Sequence, residues 1–167
     1  MAVRVSEADF DLAGEYQHLR EKAGNGCGAI VQFVGLVRDF NTLISTDDAT
    51  QDARKANVIT LELEHYAGMT ESVIDAICTD AQSRWDIAEP SVIHRVGRLA
   101  PGDQIVMVSV ASAHRAHAFS ACEFIMDQLK TNAPFWKKER HLDANTESTT
   151  WLSMKDNDKA RARRWDK

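Results

Sequence analysis

One proline separates two incompatible periodicities, and that junction constrains the fold more than any other feature of the chain. Ala118, Phe119, Cys122, Ile125, Met126 and Leu129 recur at helical spacing, which predicts a long helix from about His114 to Thr131. Pro134 cannot continue that helix, because it lacks an N–H and disfavours helical geometry in the residue before it. Phe135 to His141 then reads as a strand. Lys130 therefore closes a helix and Lys137 opens a strand, seven residues apart around a stiff, mostly apolar segment, Ala133-Pro134-Phe135-Trp136. At the other end of the helix stand Ser112, read as its N-cap, and the basic pair His114-Arg115, where unpaired N–H groups and the helix dipole favour an anion. These clusters point to a site for a phosphorylated small molecule.

The remaining elements follow from pattern. Ser6 to Lys22 predicts a short helix ending at Gly24-Asn25-Gly26, and Gly28 to Val37, apolar and almost uncharged, a strand buried on both faces. Val58 to Tyr66 alternates as a half-exposed strand. Thr70 to Trp85 is an amphipathic helix, with Thr70 as a capping residue. Ser91 to Gly97 and Gln104 to Ser112 form an antiparallel hairpin about Pro101-Gly102, and Thr149 to Ser153 a final strand. Regular strand-helix alternation is missing, so the expectation is an α+β fold, mainly antiparallel, with two principal helices. One domain spans 1–167, with a polar mobile loop at about 41–57 and a polar tail at about 155–167.

A net charge of −5 over 167 residues argues against general attraction to nucleic acid or membrane, so the basic clusters are local. No run approaches the roughly 18 apolar residues of a membrane span, and Met1 to Glu7 lacks the apolar core expected of a signal peptide. Cys27, Cys78 and Cys122 are an odd set without C-x-x-C spacing, which fits a reducing, cytoplasmic setting. Cys78 and Cys122 fall on apolar helix stripes, and Cys27 has no basic neighbour in sequence to activate it. His114 and His117 lack a third metal ligand nearby, so no metal is expected.

A lone lysine at a helix end or strand edge is ordinarily a solvated charge. The apolar segment between Lys130 and Lys137 favours function instead, since it can fix both amines and partly desolvate them. Fifteen helical steps put the Cα atoms of Arg115 and Lys130 roughly 22 Å apart, too far for one small phosphate to touch both. Either the two ends serve different sites, or Arg115 of one subunit completes the site holding Lys130 of another across a two-fold axis.

Val34-Gly35-Leu36-Val37-Arg38, Leu63-Glu64-His65-Tyr66-Ala67-Gly68-Met69-Thr70, Val92-Ile93-His94-Arg95-Val96-Gly97, Ser112-Ala113-His114-Arg115 and Leu129 to Glu139 occur in this order. So ordered, the chain closely resembles the large, catalytic subunit of molybdopterin synthase from about Gly26 to Lys155. The resemblance implies an α/β-hammerhead type of fold and a heterotetramer, a central homodimer with a small ubiquitin-like subunit at each end. It implies a sulfurtransferase of molybdenum cofactor biosynthesis, in which cyclic pyranopterin monophosphate receives two sulfurs as a dithiolene. The sulfur comes from a thiocarboxylate on the small subunit's terminal glycine, with no cofactor and no sulfur-carrying cysteine. Carried over by position, Leu36, Val37 and Arg38 contact substrate, and His114 and Arg115 bind phosphate. Lys130 matches the essential lysine, a proton donor or acceptor at the thiolated carbon; Lys137, Lys138 and Glu139 match a second, basic substrate-binding segment, with Lys137 binding or activating the thiocarboxylate and substrate.

Asn132 stands where the family is often basic, so one auxiliary anion contact is either missing or supplied by Arg140, and the loop beside Arg38 is longer than usual. Two other readings of the same residues are a non-catalytic module that binds the acidic tail of a ubiquitin-like partner, and a phosphoester-binding enzyme acting alone.

Overall fold

Among the described residues the strands form two four-stranded sheets. The computed structural model describes residues 2–38, 57–143, 146–152 and 156–166. In chain order the elements are β1 (Ala2–Ser6), α1 (Leu12–Ala23), a 3-10 turn (Gly24–Gly26), β2 (Ala29–Leu36), β3 (Asn57–His65) and α2 (Met69–Arg84). There follow β4 (Ser91–Arg95), β5 (Gly97–Leu99), β6 (Gln104–Ser112), α3 (Arg115–Asn132), β7 (Phe135–Asp143), β8 (Thr146–Leu152) and α4 (Asp156–Arg163). The first sheet has the order β1-β4-β6-β2 and the second β5-β3-β7-β8. Only β1 and β4 pair in parallel among the described strands, so the fold is α+β and dominated by antiparallel pairing.

The first sheet is apolar on both faces because both are covered. Val92, Val106, Val108 and Val110 pack with Ile74, Cys78, Phe124 and Ile125 of α2 and α3 in the main core. Ile93 and Met107, on the opposite face by strand alternation, pack with Phe10 and Leu12 at the start of α1. The chain leaves this sheet at Val96, whose N–H donates to Ser6 O at 3.0 Å, and enters the second at Gly97. Gly97 has φ 77°, a left-handed backbone that a side chain would strain. The Pro101-Gly102 turn forms as expected, with φ 91° at Gly102 and Asp103 N–H donating to Ala100 O at 3.0 Å.

Several expectations need correction. The strand at Gly28 to Val37 is not buried on both faces: β2 ends the sheet, and Phe33 and Leu36 are 40% and 52% exposed. An apolar run reads as doubly covered, but sequence cannot show that a strand lies at an edge. Thr70 does not cap α2; Gly68 does, its N–H donating to Glu71 Oε2 at 2.7 Å, while Thr70 is fully buried in the first turn. His114, not Ser112, is the N-cap residue of α3. Ser112 instead pins the entry, accepting from His114 N–H at 3.1 Å and donating to Asp86 O at 2.7 Å.

The strands β1 and β5 were too short to register as patterns. The expected strand from Ser91 to Gly97 divides between two sheets. The polar tail carries structure that its composition does not announce. It contains α4, and beyond it Trp165 packs edge-on against Trp85 and Phe124. Trp165 Nε1 and Arg164 Nη2 donate to the buried carboxylate of Asp127 at 2.9 and 2.8 Å. The expected loop at 41–57 lies outside the described residues except for Asn57, which opens β3. Among the described residues no helix is long and apolar enough to cross a membrane.

Candidate active site

The turn after α3 is fixed from three sides. Ala133 N–H donates to Leu129 O at 3.3 Å, and Phe135 N–H to Ala133 O at 2.8 Å, a tight reversal about Pro134. The buried Thr70 hydroxyl donates to Pro134 O at 3.4 Å and accepts from Tyr66 N–H at 3.2 Å, tying the turn to the start of α2. Lys130 in the last turn of α3 and Lys137 in β7 are thus held on the two arms of one stiff reversal.

Register decides which side chains of β7 share a face. Phe135, Lys137 and Glu139 lie opposite His65, Leu63 and Leu61 of β3. Directly opposed residues project from the same face, and Leu61 and Leu63 are buried, so this is the inner face of the second sheet. Glu139 is buried there. Trp136 and Lys138 point the other way: Lys138 Nζ sits 5.3 Å from the Trp151 ring centre, and Trp136 is 49% exposed. The structure therefore divides the Lys137-Lys138-Glu139 segment between two faces. Both Lys130 and Lys137 are exposed, so the apolar segment holds them without the desolvation that sequence suggested.

The end of β2 arrives at the same place. Val37 is tied down by its N–H donating to Asp103 O and its carbonyl accepting from Gly102 N–H, both at 2.8 Å. It packs in one buried cluster with Leu63, the residue directly opposite Lys137. Arg38, one residue on, is exposed at that corner, as is Leu36. Arg140, proposed to replace a basic group at Asn132, has its Nε 3.8 Å from Glu62 Oε2, on the same β7 face as Lys138.

His114 and Arg115 are not part of this group within one chain. Ser112 pairs with Ala29 at the start of β2, whereas Arg38 follows its end. α3 packs back along β6 and β2, so its first residues and Lys130 lie at opposite ends of the first sheet, roughly 22 Å apart. Gly28 closes that far end; a Cβ there would come within 2.3 Å of Ala113 O. His114 and Arg115 are exposed.

A second set of side chains surrounds Lys137, none of them given a role by sequence reasoning. His94 of β4, buried, stacks on Phe135 with ring centres 3.8 Å apart and planes 17° off parallel. Its Nδ1 lies 2.8 Å from Arg95 O; a carbonyl only accepts, so Nδ1 carries the proton. Burial lowers the His94 pKa to about 4, and nearby Lys137 and His65 push the same way against that hydrogen bond. His65 Nε2 is 3.7 Å from Glu71 Oε1. These residues sit in the Leu63–Thr70 and Val92–Gly97 motifs, but only strand register reveals what they surround.

Burial raises the Cys78 thiol to about 12 and the Cys122 thiol to about 11, so neither is a thiolate nucleophile near neutral pH. Cys27 Sγ is within 3.3 Å of Ala29 O and 3.7 Å of Ser112 O. Among the described residues no three His, Cys, Asp or Glu side chains are grouped to hold a metal ion. The His114 and His117 rings meet edge to face, with centres 5.9 Å apart.

Known proteins with the same arrangement can now be compared. The family model described as MoaE protein matches residues 5–132. A molybdopterin synthase catalytic subunit from Vibrio cholerae is 48% identical over 98% of this chain and 97% of its own length. One from Pseudomonas aeruginosa is 45% identical over 99% of each chain. Among solved structures, molybdopterin cofactor biosynthesis protein E from Burkholderia multivorans superposes with a TM-score of 0.77 at 43% identity, covering 99% of this chain and 97% of that one. A molybdopterin synthase from Staphylococcus aureus superposes with 0.74 at 25% identity, covering 90% and 96%. By the extent of these matches, the chain belongs to the MoaE family, the catalytic subunits of molybdopterin synthase.

Proposed function

We propose that this enzyme moves sulfur from the thiocarboxylated C-terminus of a small ubiquitin-like partner onto cyclic pyranopterin monophosphate, and that the corner holding Lys130, Lys137 and Arg38 is where it does so. What supports this reading is that Val37 and Phe135 pack on one buried cluster, with Arg38 one residue past Val37 and Lys137 two past Phe135, local positive charge in a protein of net charge −5. Both reactants are anions, and preset positive charge offsets their repulsion while stabilising charge that builds up during transfer. Lys137 neutralises the thiocarboxylate, and Lys130 exchanges a proton at the carbon being thiolated. Each transfer forms a C–S bond in place of a C–O bond of the pterin, whose oxygen leaves as water or stays on the opened phosphate. Water cleaves the thioacyl C–S bond and leaves the partner's glycine as a carboxylate, so two loaded partners are consumed per dithiolene. Sulfur reaches the site on the partner, so neither a resident cofactor nor a reactive cysteine is required. A reducing cytoplasm suits such chemistry and preserves the thiocarboxylate.

The phosphate is bound by His114 and Arg115 of a second copy. That arrangement resolves the separation along α3, and β2 supports it: a terminal strand with Phe33 and Leu36 exposed, beside α3 with Phe119 62% exposed. Mixing Arg115→Ala with Lys130→Ala subunits should restore activity in the dimers that retain one intact site; no recovery from an assembled mixture refutes the shared site. The reaction itself is tested by incubating the protein with cyclic pyranopterin monophosphate and partner in thiocarboxylate or carboxylate form. Dithiolene should appear only with the former. Activity without sulfur-loaded partner, or tight binding with no product, would replace this reading with a lone phosphoester enzyme or a binding module.

A further inference from the structure

Phe135 occupies a structural crossing point. It belongs to β7 in the second sheet, two residues before Lys137 on the same inner face, and its ring lies flat on His94 from the first sheet. α3, which carries Lys130 in its last turn, packs against that first sheet. One ring contact therefore bears on where the strand of Lys137 sits relative to the helix of Lys130. The contact is restrained on the histidine side, because the Nδ1–H bond to Arg95 O fixes the imidazole's rotation. Arg95 is held in turn, its Nη1 donating to Gln104 O at 3.1 Å and lying 3.3 Å from Asp9 Oδ1.

The geometry points to His94 as a positioning residue for Lys137: its locked ring, stacked on Phe135, sets where β7 begins and hence how Lys137 is presented beside Lys130. The groups facing it are Phe135 and Lys137 from β7 and His65 from β3, the last held near Glu71 of α2. With two basic side chains nearby, an uncharged ring is the form that fits, and burial keeps it so at neutral pH. Phenylalanine would keep the stack and lose the lock; alanine would lose both.

This role rests on the reading that Lys137 takes part in sulfur transfer, and the test separates the two. Turnover by the complex assembled with thiocarboxylated partner is measured for His94→Ala, His94→Phe, Phe135→Leu, the His94→Ala/Phe135→Leu double variant and Lys137→Ala, with melting temperatures for each. His94→Ala and Phe135→Leu should each lower kcat at least tenfold while KM for the pterin changes less than threefold. His94→Phe, which keeps the stack without the lock, should fall between His94→Ala and the parent, and the double variant should be no slower than the worse single one. A histidine needed only for folding would lower the melting temperature and leave kcat per folded molecule unchanged. That outcome, or losses that multiply in the double variant, overturns the role. If His94→Ala does not fold, parental kcat in Phe135→Leu overturns it equally. An inactive Lys137→Ala beside a fully active His94→Ala removes the positioning role alone; an active Lys137→Ala removes the chemistry assigned to Lys137.

Discussion

The two sheets are built from opposite kinds of sequence. In the first, β6 is buried from Val106 to Ser112 and covered on both faces, so almost every side chain serves packing. In the second, β7 reads Phe-Trp-Lys-Lys-Glu-Arg, with an inner face carrying Lys137 and the buried Glu139 and an outer face carrying Trp136 and Lys138. The main buried cluster lies on the first sheet, while the second places charge on its inner face. The sheets meet at Gly97, at the Val37 corner and in the His94–Phe135 stack.

That division of roles can be broken by mutation. Lys130→Ala should reduce turnover by about a hundredfold or more, the scale of a lost proton-transfer group, while melting temperature and partner binding hold. A large stability loss would place Lys130 among the packing residues instead. Ile125→Ala, a fully buried position against the first sheet, should cost about 2–5 kcal/mol of stability and leave kcat per folded molecule intact. Chemical denaturation and initial rates on the same sample check both halves.

The stack between the sheets gives a pH dependence of known sign. Folding lowers the His94 pKa from 6.5 to about 4, so the unfolded chain binds the proton more tightly. Its contribution is complete above about pH 6.5 and declines as pH falls toward 4, with about 2 kcal/mol lost between pH 8 and pH 5. Denaturant melts of the parent and of His94→Phe should diverge over that interval, and parallel curves would show that the ring titrates normally. The smallest effect belongs to Lys138→Ala. On the outer face over Trp151, it should change turnover only a few-fold and stability by under about 1 kcal/mol. A loss as large as that of Lys137→Ala would mean that both faces of β7 serve the site.

Much of this was legible in the chain. Pro134 announced the junction, the helical stripe from Ala118 to Leu129 gave α3, and Pro101-Gly102 gave its turn. Lys130 and Lys137 were singled out by their spacing about the proline. The rest depended on partners that sequence does not name. Thr70 looks like a cap until Pro134 O appears above it, and β2 looks doubly buried until its place at the sheet's edge is known. Lys137 and Lys138 are indistinguishable side by side; pairing of Leu63 with Lys137 puts them on opposite faces. The tail reads only as polar, since polar residues dominate α4, yet Trp165 and Arg164 find a buried acid, Asp127, in a helix far back in the chain.

The claim that the Pro134 corner performs sulfur transfer meets its most direct test in a single-turnover reaction of Lys137→Ala, assembled with thiocarboxylated partner and supplied with cyclic pyranopterin monophosphate. The complex should form normally, the partner should keep its sulfur, and no dithiolene should accumulate. Product appearing at the parental rate would contradict the claim and move the chemistry elsewhere on the molecule.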